Sequence, residues 1–315
     1  MLTAKDVKGV YAMVPTPCKE GADGWDDTDS VDLDETARMI ENLIEAGIGG
    51  IAACGTTGEC AALLWEEKQA FIDTVVQVNR GRVPLFAGAT ALGTKEVIRQ
   101  MRALKEIGAD GAFVGLPLWQ TPTIDTAVQF FADLGEAAPD VPIMVYANPM
   151  FFKFTFPVRF WAGVAQKAPT VITNKMVGDI SNLLENLRVA GDQVNFQPID
   201  RAAYASYKMV GDRVTALWST SACMGPEPVV AFMDAIQRGD DARVDEIFED
   251  MRGVPSFMPP GQEGDFPKHN AQAEKARFNA SGYVNCGPAR PPYHELPEDW
   301  AKQAELHGKG WAELR

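Results

Sequence analysis

Residues 83–116 read VPLFAGATALGTKEVIRQMRALKEIGADGAFVGL, and they hold the rhythm that the rest of the chain repeats. Val83–Ala89 is a short apolar run of the kind a strand covered on both faces requires. Thr94–Ile107 carries apolar residues at helical spacing, with Thr94 as the expected N-cap and Gly108 as the stop. Ala112–Leu116 is apolar and extended again. Working outward, the same alternation predicts strands at Val10–Pro15, Gly47–Cys54, Ile143–Ala147, Val171–Asn174, Val194–Pro198 and Val214–Trp218. Helices are predicted at Leu33–Ala46, Glu66–Asn79, Ile124–Ala137, Phe156–Gln166, Ile180–Val189, Ala202–Met209 and Glu227–Gln237. Eight strand–helix units within about 240 residues match the α/β class and the (β/α)8 TIM barrel. A doubly wound open sheet is the rival, because periodicity alone cannot close a barrel. Residues 241–315 hold three further helical segments, Asp241–Met251, Lys268–Ala280 and Glu298–Glu313. They read as a C-terminal helical extension packed on a barrel of residues 1–240.

Composition narrows the function. The 315 residues carry 29 Lys+Arg against 43 Asp+Glu, a formal net charge of −14, with no basic run. Such a chain repels phosphate backbones, so no nucleic-acid partner is expected. The 3 histidines are His269, His294 and His307, so residues 1–268 supply neither a His-rich metal site nor a Ser-His-Asp triad. The 5 cysteines, Cys18, Cys54, Cys60, Cys223 and Cys286, form no CxxC pair and read as reduced thiols. The opening MLTAKDVKGV lacks an apolar signal core. No apolar run reaches the roughly 18 residues that span a bilayer. The expectation is a soluble, cytoplasmic protein without a membrane partner.

Three segments carry chemistry if the barrel forms, because barrel sites lie at the C-terminal ends of the strands. Gly55-Thr56-Thr57-Gly58-Glu59 follows the second strand; its hydroxyls and successive amide N–H groups suit a carboxylate. The plainer alternative is a Gly/Thr turn with Glu59 in a local cap. Tyr146 ends the fifth strand, where its hydroxyl could shuttle a proton, or the ring could simply pack. Asn148, before Pro149, shapes the turn that follows. Lys175 ends the run Val171-Ile172-Thr173-Asn174-Lys175. In an apolar barrel mouth its pKa should fall, giving a neutral amine able to form a Schiff base with a ketone; at a strand edge it would merely reach solvent.

Together, GTTGE after strand two, a tyrosine ending strand five and a lysine ending strand six resemble the pyruvate-dependent class I aldolases of the dihydrodipicolinate synthase / N-acetylneuraminate lyase family. The resemblance spans the whole chain. It implies Lys175 as the Schiff-base lysine, Tyr146 as the proton shuttle, and Thr56, Thr57 and Gly58 around the pyruvate carboxylate. No metal or cofactor is implied. Homotetramers are usual among the relatives, and Trp119 would lie near a subunit contact.

The departures point to the substrate. The position five residues after the tyrosine, often arginine in members acting on carboxylated aldehydes, is Phe151. A tyrosine pair usual after strand four is Leu118-Trp119, and strand eight ends in Leu217-Trp218-Ser219. Trp119, Phe151, Phe152 and Trp218 are thus expected around an apolar pocket for a flat ring. Tyr146-Ala147-Asn148-Pro149, Trp218-Ser219, Pro267-Lys268-His269-Asn270 with Glu274-Lys275-Ala276-Arg277, and Arg290-Pro291-Pro292-Tyr293 resemble the hydratase-aldolase branch. That branch cleaves benzylidenepyruvates in bacterial breakdown of polycyclic aromatics, and there the residue matching Asn270 reaches the active site. Relatives acting on the 2-hydroxyphenyl substrate carry a histidine after strand seven, where this chain has Gln197-Pro198-Ile199-Asp200-Arg201. With Arg201 available to meet a carboxylate, the expected ring substituent is 2-carboxy, with 2-hydroxy as the alternative. A lyase or synthase for hydroxylated 2-oxo acids is the further enzymatic alternative, and a ligand-binding barrel without turnover is the non-enzymatic one.

Overall fold

The computed structural model describes residues 1–177 and 180–315. Its strands are β1 (Gly9–Met13), β2 (Gly50–Ala53), β3 (Leu85–Gly88), β4 (Gly111–Val114), β5 (Ile143–Ala147), β6 (Val171–Met176), β7 (Asn195–Gln197) and β8 (Ala216–Ser219). They form one sheet in the order β7-β6-β5-β4-β3-β2-β1-β8. A doubly wound sheet would reverse its strand order at a switch point. Here the order is the chain order throughout, and a parallel bridge from Ile199 to Trp218 joins the segment after β7 to β8. The fold is the (β/α)8 barrel, and each strand falls where the apolar runs predict it.

The helices are α1 (Leu33–Glu45), α2 (Trp65–Asn79), α3 (Thr94–Ile107), α4 (Ile124–Ala137), α5 (Pro149–Phe152), α6 (Val158–Lys167), α7 (Leu183–Ala190), α8 (Asp200–Val210), α9 (Glu227–Arg238), α10 (Asp241–Gly253), α11 (Phe266–Ser281) and α12 (Glu298–Ala312). Two local details differ from the sequence reading. Gly93, not Thr94, is the N-cap of α3, and it offers no side-chain bond. The one-turn helix α5 is additional to the alternation. It begins because the Asn148 side chain accepts from the N–H groups of Met150 and Phe151, with Pro149 preset for a helical first turn. Among the described residues no helix is long and apolar enough to cross a membrane.

The chain divides into two compact units. The first comprises residues 1–9 and 84–218, with β3 to β8 (through Trp218) and α3 to α8. Every residue of β5 and β6 is buried. Tyr146 of β5 pairs in register with Lys175 of β6, and Lys175 with Gln197 of β7. Register partners on neighbouring strands project to the same face, so these three side chains share one side of the sheet.

The second unit comprises residues 10–83 and 219–315, with β1, β2, α1, α2 and α9 to α12. Trp300 of α12 is fully buried against Phe257 and Ala273, and the Trp311 indole donates to the Gly225 carbonyl at 2.9 Å. Helix α11 is unusual in burying Gln272, Glu274, Lys275 and Arg277 together. Such residues are almost never buried without partners.

Candidate active site

In the first unit the centre is Lys175. The side chain is 6% exposed, and its Nζ lies 3.8 Å from the Trp218 ring centroid and 4.4 Å from that of Tyr146. Both rings are themselves fixed. The Trp218 indole N–H donates to the Met176 carbonyl at 2.8 Å. The Tyr146 ring lies between Phe113 at 4.7 Å and the edge-on Phe152 at 5.2 Å. Phe152 reaches it only because residue 115 is glycine: a Cβ there would sit 1.9 Å from the Phe152 ring. Asn148, buried at the end of the strand, donates from Nδ2 to the Tyr146 hydroxyl at 3.4 Å while its Oδ1 caps α5.

Lys175, Tyr146, Asn148 and Trp218 are therefore brought together, within one unit, by three strands and a one-turn helix. Gln197 belongs to the same face and was not singled out from the sequence. It is fully buried, its Nε2 donates to Thr173 Oγ1 at 2.9 Å, and its Oε1 has no hydrogen-bond partner among the described residues. The signal lay in β7, where a glutamine interrupts an apolar run.

The other first-unit candidates are less buried. Phe151 is half-buried on α5. Trp119 is 86% exposed in the connection from β4 to α4, outside the packed rings. Arg201 is exposed in the first turn of α8.

In the second unit, residues 55–59 form a tight turn after β2, closed by bonds from Glu59 N to Thr56 O (2.9 Å) and Cys60 N to Gly55 O (3.1 Å). Thr56 is half-buried and Thr57 and Gly58 are buried. A Cβ at Gly58 would press on the Cys54 backbone at 3.0 Å, so the turn requires glycine there. Thr16 Oγ1 donates to Gly58 O at 2.9 Å.

Glu59 is not a local cap. Its carboxylate is fully buried, 2.6 Å from Lys275 Nζ and 2.5 Å from Arg290 Nη1. Ser219 is buried, its Oγ accepting from Ala222 N at 3.0 Å. Asn270, in the first half of α11, is half-buried, and its Oδ1 is buried without a partner among the described residues.

The cysteines do not compete for the nucleophile's role. Burial raises all five thiols above their ordinary value, Cys54 to about 12. A thiol that stays protonated is a poor nucleophile.

Known proteins resemble this chain along nearly its whole length. The model of the dihydrodipicolinate synthetase family matches residues 9–305. A trans-o-hydroxybenzylidenepyruvate hydratase-aldolase of Pseudomonas putida is 45% identical over 318 residues, 99% of this chain and 95% of its own. A trans-2'-carboxybenzalpyruvate hydratase-aldolase of Nocardioides sp. (strain KP7) is 34% identical over 320 residues, 100% of this chain and 96% of its own. The structure of PhdJ bound to a substrate intermediate superposes with a TM-score of 0.95 at 36% identity, covering 99% of this chain and 98% of that one.

Proposed function

The chain belongs to the dihydrodipicolinate synthetase family, and on that premise we propose that it is a lysine-imine hydratase-aldolase acting on an aryl-substituted benzylidenepyruvate. The observation that carries this reading is Lys175, buried against two oriented aromatic faces on the strand next to Tyr146. A lysine so placed is screened from water by the two rings.

In the proposed reaction Lys175 attacks the 2-oxo carbon, and loss of water gives a protonated imine that withdraws electrons along the conjugated double bond. Water then adds at the carbon bearing the ring, helped by Asn270, which would orient it, or by Tyr146, which would take its proton, and the next carbon takes up a proton. Deprotonation of the new alcohol breaks the bond between those two carbons. The aryl aldehyde leaves, and the electron pair rests in a pyruvate enamine. Protonation and hydrolysis of the imine release pyruvate and the free lysine. Thr56, Thr57 and Gly58 would bind the carboxylate, and Asn148 would orient the Tyr146 hydroxyl. Trp218, Ser219, Phe151 and Trp119 complete the proposed substrate-binding set, though the exposure of Trp119 favours a different part for it.

The ring substituent has two readings. The histidine missing after β7 supports 2-carboxy. The higher identity to hydroxybenzylidenepyruvate relatives supports 2-hydroxy, and the exposed Arg201 weakens the guanidinium clamp on which 2-carboxy leaned. Support now favours 2-hydroxyphenyl, giving salicylaldehyde and pyruvate, in the breakdown of polycyclic aromatics. Homotetrameric assembly and a cytoplasmic location belong to the same proposal. The adjacent exposed apolar pair Leu118 and Trp119 supports assembly, and light scattering tests it.

The central test is borohydride trapping with pyruvate, read by intact mass. The expected result is one adduct on the wild-type chain, mapped to Lys175. An adduct on another lysine would overturn the assignment, and no adduct would favour the binding-barrel alternative.

A further inference from the structure

Glu59 adopts a left-handed backbone with φ of +52°, a region that a residue with a Cβ occupies only at a cost. Something must hold it there. Its Oε2 receives Lys275 Nζ and Arg290 Nη1, and its Oε1 accepts from the Arg290 backbone N–H at 2.7 Å.

Arg290 in turn uses every N–H of its guanidinium. Nε donates to Ser30 Oγ at 2.7 Å; Nη1 to Thr16 O at 3.0 Å besides Glu59; Nη2 to Pro17 O at 3.0 Å and Ser30 O at 3.3 Å. Lys275 also donates to Pro288 O at 2.6 Å. A second carboxylate, Glu67, accepts from the Ser30 hydroxyl and from its N–H at 2.8 Å. The cluster is thus two cations and two carboxylates, buried, and its cations come from the segment between residues 275 and 290.

We propose that Glu59, Lys275 and Arg290 are positioning residues for the substrate's carboxylate. They fix the 55–59 turn, and with it the hydroxyls and amides of Thr56, Thr57 and Gly58, so these three positioning residues set affinity for a 2-oxo acid without touching it. This rests on the aldolase reading above. A structural role alone would lower stability without singling out the carboxylate.

The test is borohydride trapping over a range of pyruvate and methyl pyruvate concentrations, with thermal melting of every variant. The variants are Glu59→Gln, Lys275→Met and Lys275→Arg, with Phe232→Leu in the core of α9 as a control for lost stability. Glu59→Gln is expected to raise the half-saturating pyruvate concentration about ten- to a hundredfold, the worth of one charge-assisted interaction. Trapping at saturation should be retained and half-saturation by methyl pyruvate little changed. Lys275→Met, which leaves Arg290 on Glu59, should shift pyruvate in the same direction by less, and Lys275→Arg should restore it. If Glu59→Gln does not fold, Lys275→Met decides. Unchanged half-saturation in a folded variant overturns the proposal, as do equal shifts for both ligands or an equal shift in Phe232→Leu. Absence of any adduct on the wild-type chain overturns the aldolase reading, and this proposal with it.

Discussion

Lys175 and Lys275 are both almost fully buried, at 6% and 2% exposure, yet their surroundings fit them for different work. Lys275 holds its ammonium 2.6 Å from a carboxylate, with a carbonyl as second acceptor. Lys175 lies against the faces of Trp218 and Tyr146. Burial alone therefore does not mark a lysine as a nucleophile; what surrounds the amine does. An ammonium locked by a carboxylate is a structural pin, whereas an amine against two oriented rings is the one we propose as the nucleophile.

The sharpest way to break that comparison is to remove each amine. Lys175→Ala is expected to abolish the pyruvate adduct and to lower turnover by more than roughly 10^4-fold, as loss of a covalent nucleophile does. Lys275→Ala should retain the adduct at saturating pyruvate but unfold at lower denaturant. Breaking a buried pair costs about 3–5 kcal/mol, and the lower end applies because Arg290 stays on Glu59. Urea melts and trapping on both variants check this. Reversed phenotypes would exchange the two roles.

Tyr146→Phe sharpens the picture on the aromatic side. The ring contacts with Phe113 and Phe152 survive the change, and only the hydroxyl that Asn148 meets is lost. The adduct should still form, while steady-state turnover falls by at least about a hundredfold, the lower end for general acid–base catalysis. Near-normal turnover would make Tyr146 a packing residue.

On the ionic side the corresponding probe is pH. Burial pushes the Glu67 carboxyl up, but hydrogen bonds from Ser30 and Leu64 outweigh it and leave the group below its ordinary 4.5. A carboxyl depressed on folding contributes stability that is complete above the unfolded value and is lost as pH falls through the folded one. Wild type should therefore melt higher than Glu67→Gln near neutrality, with the gap closing below pH 4.5. A gap that persists in acid would show that the loss is one of packing, not charge.

The two regions were unequally legible in the sequence. Tyr146 and Lys175 end apolar runs, and the register of adjacent parallel strands does the rest, so pattern alone brings them side by side. Glu59 finds Arg290 at a separation of 231 residues, which no local pattern encodes, so a local cap was the only partner the sequence offered its carboxylate. Helix α11 itself was legible, but its buried face was not, for the same reason: charged residues are interior, satisfied by one another and by loop carbonyls. Trp119 shows a different limit: a strand end fixes where a loop begins, not where its tip goes, so the sequence pattern alone could not separate a pocket wall from a residue as exposed as this one. Helix α5 was read only as a turn, although Asn-Pro supplies both a capping residue and a first-turn proline.

The smallest expected effect concerns Arg201. An arginine that clamps a ring carboxylate must leave water to do so, and its loss would then cost about ten- to a hundredfold in discrimination. Arg201 instead stands exposed in the first turn of α8, where its backbone N–H bonds the Asp200 carboxylate and its side chain reaches solvent. Exposed substitutions of this kind usually stay within about 0.5 kcal/mol. Arg201→Gln should therefore change kcat/KM by no more than about twofold, for salicylaldehyde and 2-carboxybenzaldehyde alike, in condensation with pyruvate. The wild type should prefer salicylaldehyde. A selective loss of the 2-carboxybenzaldehyde reaction in the variant would restore the carboxylate clamp and move the substrate assignment to the 2-carboxyphenyl compound. Preference for aliphatic aldehydes over both would sink the aryl reading, while leaving the imine at Lys175 intact.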